Sequence, residues 1–251
     1  MEHKVLDISK KLGTLLSEFS GAQGETEKER EKSLMPAFQQ IAGKLLYGGH
    51  FAVTDKNGDV IRNVYLHSIE FYYHEEGDGL VKDYIVYHRN PDNPEKTPNP
   101  LPPFPLGSLH THVSGVDLTF EDNRHPDNPA YRASALVRAF RVEVVKETAG
   151  VPFSVEVDER STYFYNALFM GVNVLDGKLL VQWIDNNVQH CVIPHTEPRH
   201  NVGLFDEKIH KKGYKYHVKK EIFEQDERPW AFRRTASAPI PYDQMGTGTR
   251  H

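Results

Sequence analysis

His50-Phe51-Ala52-Val53-Thr54-Asp55, then Lys56-Asn57-Gly58-Asp59, then the run from Val60 to Tyr73 read as a strand, a tight turn and a returning strand. Asn57-Gly58 accepts the positive φ that such a turn needs. The returning strand ends in Ile69-Glu70-Phe71-Tyr72-Tyr73-His74, where apolar and polar residues alternate. Strand alternation puts Ile69 and Phe71 on one face and Glu70 and Tyr72 together on the other. A carboxylate beside a phenol makes one wall of a pocket for a flat ligand. A lone strand Glu facing solvent is the plainer reading of the same residues.

Upstream the period is helical. Val5, Ile8, Leu12, Leu15, Leu16 and Phe19 form one apolar stripe, which predicts a helix over 5–19. Residues 21–32 are polar and read as a loop or an exposed helix start. A second helix is expected from Pro36 in its first turn to Tyr47, stopped by Gly48-Gly49. Downstream, seven prolines crowd residues 90–105, a long loop of the kind that often carries function. Strand character returns over 106–120 and 133–145, the latter interrupted by Arg138 and Arg141. Residues 161–169 read as helical, and 173–181 as a further hairpin with which 188–193 pairs. Segments 202–205, 214–218 and 230–232 complete a strand-rich end. The expected fold class is mixed α/β (α+β): one domain with a curved, mostly antiparallel sheet and flanking helices. Its parts are an N-terminal helical extension over 1–35, a main domain over 36–235 with the Pro-rich insertion, and a flexible tail over 236–251.

The 251 residues carry a net charge of −5 with His neutral, which disfavours non-specific wrapping of duplex DNA. Six Lys and no acidic residue lie between Lys208 and Lys220, read as a lysine-protected edge hairpin ahead of a nucleic-acid patch. Cys191 is the single cysteine, so neither an internal disulfide nor a cysteine-rich zinc site is available. There is no apolar run long enough to span a membrane and no secretory leader at Met1, so a cytoplasmic location is expected; the expected state is a monomer.

Several stretches together resemble the alkyladenine (3-methyladenine) DNA glycosylases, which excise damaged purines after flipping them. Ile41-Ala42-Gly43-Lys44-Leu45-Leu46 and the Asn57-Gly58 hairpin are similar to that family's helix and first hairpin. Ile69-Glu70-Phe71-Tyr72 resembles its Val-Glu-x-Tyr signature, and His88 in Tyr87-His88-Arg89 its pocket histidine. Gly107-Ser108-Leu109-His110-Thr111-His112 resembles Gly-Thr-Leu-Tyr-x-Tyr, with His112 in place of a stacking Tyr. Leu136-Val137-Arg138-Ala139 is similar to Leu-Leu-Arg-Ala, and the segments from Pro198 and Pro229 to the family's closing motifs. The likeness runs from about residue 37 to 234.

The resemblance implies N-glycosidic hydrolysis of a modified purine without metal or organic cofactor. Glu70 would activate water, Tyr72 and His112 would stack on the base, and His88 and Arg138 would be its polar partners. Two departures are plain. The Pro-rich loop replaces a Gly- and Arg-rich turn, and the wedge that fills the hole left by a flipped base falls near Val113 or Ser114, both too small. A modified purine in DNA or a nucleoside-like small molecule is the expected partner, and a free nucleoside or a single strand fits as well as duplex DNA.

A rival reading takes His110, His112 and Asp117 as zinc ligands, with Glu70 activating the metal's water. The order His-x-His, Ser, Asp resembles the JAMM metalloproteases, although the spacing to Ser114 is shorter and no Pro follows His112. A third reading is a nucleobase- or nucleic-acid-binding homologue without turnover.

Overall fold

The computed structural model describes residues 5–83, 85–86, 102–121, 130–146, 156–171, 180–199, 203–204, 224–225 and 227–235. His88, the Lys-rich segment 208–220, the strand expected over 214–218, most of the Pro-rich loop and the tail 236–251 lie outside the described residues. Among the described residues the architecture is mixed α+β, a curled antiparallel sheet with three α-helices.

The opening apolar stripe is not one helix. Val5–Asp7 forms strand β1, and only Leu12–Glu18 is helical (α1). Asp7 Oδ1 accepts the Ser9 backbone N–H at 3.0 Å, a local turn that breaks the helix. Val5 and Leu6 instead pair across to Val192 and Cys191 of strand β8 (His190–Val192). The stripe still marks burial, because Ile8, Leu12, Leu15, Leu16 and Phe19 are all buried.

Helix α2 spans Glu27–Tyr47, so it starts nine residues before Pro36, which sits in its interior rather than its first turn. Its start is set by a capping box: the Thr26 hydroxyl accepts the Glu29 N–H, and the Glu29 carboxylate takes the Thr26 N–H. Thr26-Glu27-Lys28-Glu29 spells this signature. The proline forfeits one helical hydrogen bond, and burial of Leu34, Phe38, Ile41, Leu45 and Leu46 offsets the loss.

Strand β2 (Gly49–Thr54) and strand β3 (Val60–Glu75) form the expected hairpin, with Gly58 at φ +88° in the turn. The stretch 106–120 is a second tight hairpin of β4 (Leu109–His112) and β5 (Gly115–Thr119), turning at Val113-Ser114. Strand β6 (Tyr131–Val144) pairs with β3 along almost its full length. A 3-10 turn at Ser161–Tyr163 leads into α3 (Phe164–Phe169). Strand β7 (Leu180–Asp185) pairs with β2, and β8 pairs with β1; the hairpin expected over 173–181 lies, but for its last two residues, outside the described residues. Strand β9 is His195–Glu197, short strands β10 (Gly203–Leu204) and β11 (Glu224–Gln225) pair with each other, and β12 is Ala231–Arg233.

The large sheet runs β4-β5-β6-β3-β12-β9, with β2 and β7 branching from β3. One face is apolar: Ile69, Phe71 and Tyr73 lie beside Val137, Ala135 and Ala133, and α2 covers them. Phe38 of α2 stacks on Phe71 with ring centroids 4.4 Å apart and planes within 5°, while Trp230 meets Phe38 edge-on. The opposite face carries the polar residues.

Candidate functional site

The polar face is ordered by register. Residues directly opposite one another across antiparallel strands share a face. Glu70 lies opposite Leu136, which lies opposite Asp117, which lies opposite His110. Tyr72, Ser134 and Thr119 form the next row. Glu70 and Asp117 are therefore two strand spacings apart, about 10 Å.

Arg138 reaches Glu70 because the β3–β6 ladder is irregular at that point. Ser68 pairs with Ala139 and Ile69 with Val137, so the register skips His67 on β3 and Arg138 on β6. A bulge re-aims the side chain it carries. The Arg138 guanidinium lies 3.5 Å from Glu70 Oε1, and the Tyr72 hydroxyl donates to Glu70 Oε2 at 3.0 Å. Glu70 is only 2% exposed, whereas the Arg138 side chain is 28% exposed and opens towards the surface. A carboxylate this deep needs such partners, since burying a bare charge is costly. Glu70, Tyr72 and Arg138 thus come together, while His112 lies in a separate group and His88 outside the described residues.

Tyr72 is held in turn by Arg199, whose guanidinium lies over its ring at 4.7 Å. Arg199 is fully buried and donates to Asp83 Oδ2 at 2.6 Å and to the Phe71 carbonyl at 3.2 Å. Arg228 approaches the other oxygen of Asp83 at 3.8 Å and covers Trp230. Burial and the charge of Glu70 push the Tyr72 phenol well above its usual pKa, and the Arg199 charge only partly opposes them. Tyr72 therefore remains a hydrogen-bond donor throughout the neutral range. Sequence reasoning missed Asp83, which follows β3 in irregular chain where no periodicity marks it. Arg199 was visible only as part of a closing motif.

His112 lies on the same face but in a different group. Its Nε2 is 3.3 Å from Asp117 Oδ2, and His110 Nδ1 is 4.0 Å from the same oxygen. Asp117 therefore faces the histidines, and Arg138 serves Glu70. The rings of Phe104, His110 and His112 stack in sequence, at 4.6 Å and 5.6 Å between centroids. A metal lies near the plane of each imidazole that binds it, at about 2.0–2.1 Å from the nitrogen. Among the described residues no group of three His, Cys, Asp or Glu is placed to hold a metal, so the zinc arrangement of His110, His112 and Asp117 is not met by this geometry.

A cavity of about 430 Å³ lies elsewhere, beside Lys44 and Asp185, and includes none of Glu70, Tyr72, His112 or Arg138. Among the described residues no helix is long and apolar enough to cross a membrane. No protein-family model, curated protein or solved structure matches this chain.

Proposed function

We propose that the chain hydrolyses an N-glycosidic bond to a modified purine, with Glu70 activating the attacking water, on a fold of the methylpurine glycosylase kind. The observation that carries this reading is the buried Glu70 carboxylate, fixed at one oxygen by the Tyr72 phenol and at the other by the Arg138 guanidinium. Cleavage at a sugar carbon builds positive charge there, so a positioned carboxylate can both stabilise that charge and take a proton from water. Arg138 supplies the countercharge before substrate arrives. Tyr72, half-buried beside Glu70, offers a flat surface for the base, and His112 stands on the same face.

The hairpin tip supports a free or single-stranded substrate. Val113 projects there with 83% of its surface exposed, beside Ser114. A valine is too small to replace a purine lifted out of a duplex stack. Further along the same face Arg141 covers the Tyr65 ring at 4.9 Å, a cation suited to a nearby phosphate.

The test is release of free base, followed by chromatography, from hypoxanthine-containing single strands, from the matching duplex, and from inosine and its monophosphate. Release by the wild type that disappears in Glu70→Gln supports the reading. Release that survives Glu70→Gln removes Glu70 as the base. Binding of these molecules without any release favours instead a nucleobase-binding protein without turnover.

A further inference from the structure

The buried ammonium of Lys44 is independent of the Glu70 site. Lys44 belongs to the last turns of α2 and is only 2% exposed, among the largest side chains buried in the chain. Its Nζ lies 3.2 Å from Asp185 Oδ1, with the Ile8 carbonyl at 3.5 Å. An ammonium has three protons to place, and among the described residues these are its two partners. Asp185 Oδ1 is itself shared, accepting the Leu12 backbone N–H at 3.3 Å and the Trp183 indole N–H at 3.1 Å. One carboxylate oxygen divided among three donors compensates a buried cation incompletely.

The backbone is shaped around this lysine. A Cβ on Gly48 would fall 2.3 Å from Lys44 Cδ, and one on Gly49 would fall 2.4 Å from the Trp183 ring. Gly48-Gly49 therefore does more than stop a helix: it leaves room for the Lys44 stem and for the indole that orients Asp185. The side chain so placed lines the cavity of about 430 Å³, together with Lys11, Asn187 and Gln189. That volume lies in the range of small-molecule sites. Two lysines against one aspartate leave the lining cationic, and the amide side chains add neutral donors.

We propose that this cavity binds a small molecule through an oxyanion, a carboxylate or a phosphate, which takes the remaining proton of Lys44 and a contact from Lys11. The ligand reaches Lys44 from the open side, past Lys11, whose side chain is exposed. The Asp185 carboxylate holds the ammonium in place.

Calorimetric titration of the full chain with sodium phosphate and with sodium succinate tests the proposal. Saturable binding of either is expected, and the one that binds identifies the oxyanion. Lys44→Met abolishes it. Should that variant fail to fold by circular dichroism, Lys11→Glu and Asn187→Asp decide, because both change exposed residues and place negative charge at the mouth. Each is expected to weaken binding by up to about fivefold, the scale of one exposed charge contact. Absence of saturable heat for both salts up to about 10 mM, well beyond a useful site's dissociation constant, overturns the proposal. So does binding that both surface variants leave unchanged. Base release at Glu70 is unaffected by any of these results, so the two readings fail separately.

Discussion

The Tyr72 hydroxyl donates a 3.0 Å hydrogen bond to Glu70 Oε2, two residues back along the same strand and on the same face. This pair sets the first prediction. Tyr72 stays protonated because burial and Glu70 both raise its pKa, so it supports the carboxylate at every working pH. Glu70→Gln should lower base release by about 10²–10⁴-fold, the usual contribution of a positioned general base. Tyr72→Phe keeps the ring for stacking and loses one charged hydrogen bond, a cost of about 1.5–3 kcal/mol, or roughly 10-fold or more in rate. Single-turnover rates of the two variants check this. Equal rates for Tyr72→Phe and wild type would sink the role of the phenol.

The bulge that carries Arg138 sets the second. Arg138→Met leaves Glu70 buried without its guanidinium and should destabilise the fold by about 1–3 kcal/mol, read from urea unfolding. Glu70→Gln in the same chain removes the charge that Arg138 had served. The double variant should therefore lose less than the two single losses combined, with a coupling of about 0.5–3 kcal/mol. Strictly additive losses would mean that the 3.5 Å approach between the two residues contributes nothing.

The Arg199–Asp83 pair sets the third, and it separates stability from chemistry. Both side chains are buried and meet at 2.6 Å. Replacing Arg199 with Met strands the Asp83 charge, which should cost about 3–5 kcal/mol, although Arg228 at 3.8 Å moderates the loss. Asp83→Asn with Arg199→Met should recover part of that stability while leaving Tyr72 without the cation over its ring. Thermal unfolding of the three proteins distinguishes these outcomes.

Much of this arrangement was legible because it follows short-range rules. The β2–β3 hairpin is written in Asn57-Gly58, and the facing of Glu70 and Tyr72 follows from strand alternation alone. Arg138 was identified by its neighbours, yet nothing local announces the skipped register that turns it towards Glu70. That depends on Ser68 pairing with Ala139, a choice made between strands about 70 residues apart in sequence. The same limit explains β1. Val5 and Leu6 have helical company, but pairing with Val192 and Cys191 overrides it. The start of α2 was different: Thr26 and Glu29 carry an explicit capping signal, and Pro36 drew attention to the wrong position. Lys44 read as a polar residue inside a motif, and only the three-dimensional course of Gly48-Gly49 reveals that the chain buries it.

A last prediction concerns pH and the residue that the bulge leaves opposite no partner. His67 is pushed from its ordinary 6.5 down to about 4, first by burial and then by the charges of Arg234 and Arg141. The Arg234 backbone N–H donates to the His67 carbonyl at 2.8 Å, which holds the arginine's chain beside it. Between about pH 6.5 and 4 the unfolded chain takes up a proton at this position and the folded chain does not. Stability linked to His67 is therefore intact above pH 6.5, falls as the pH drops through that window, and levels off below about 4. Glu121 acts in the opposite sense: burial raises its pKa from 4.5 to about 7, so acidification between those values favours the folded state. The two effects offset each other in the wild type, and a single acid titration would not separate them. His67→Gln removes one and leaves the other. Urea midpoints at several pH values from 7 to 4 should show the variant gaining on the wild type as the pH falls. Parallel curves for the two proteins would mean that His67 takes its proton in the folded state as readily as in the unfolded chain, and that the two arginines do not bear on it.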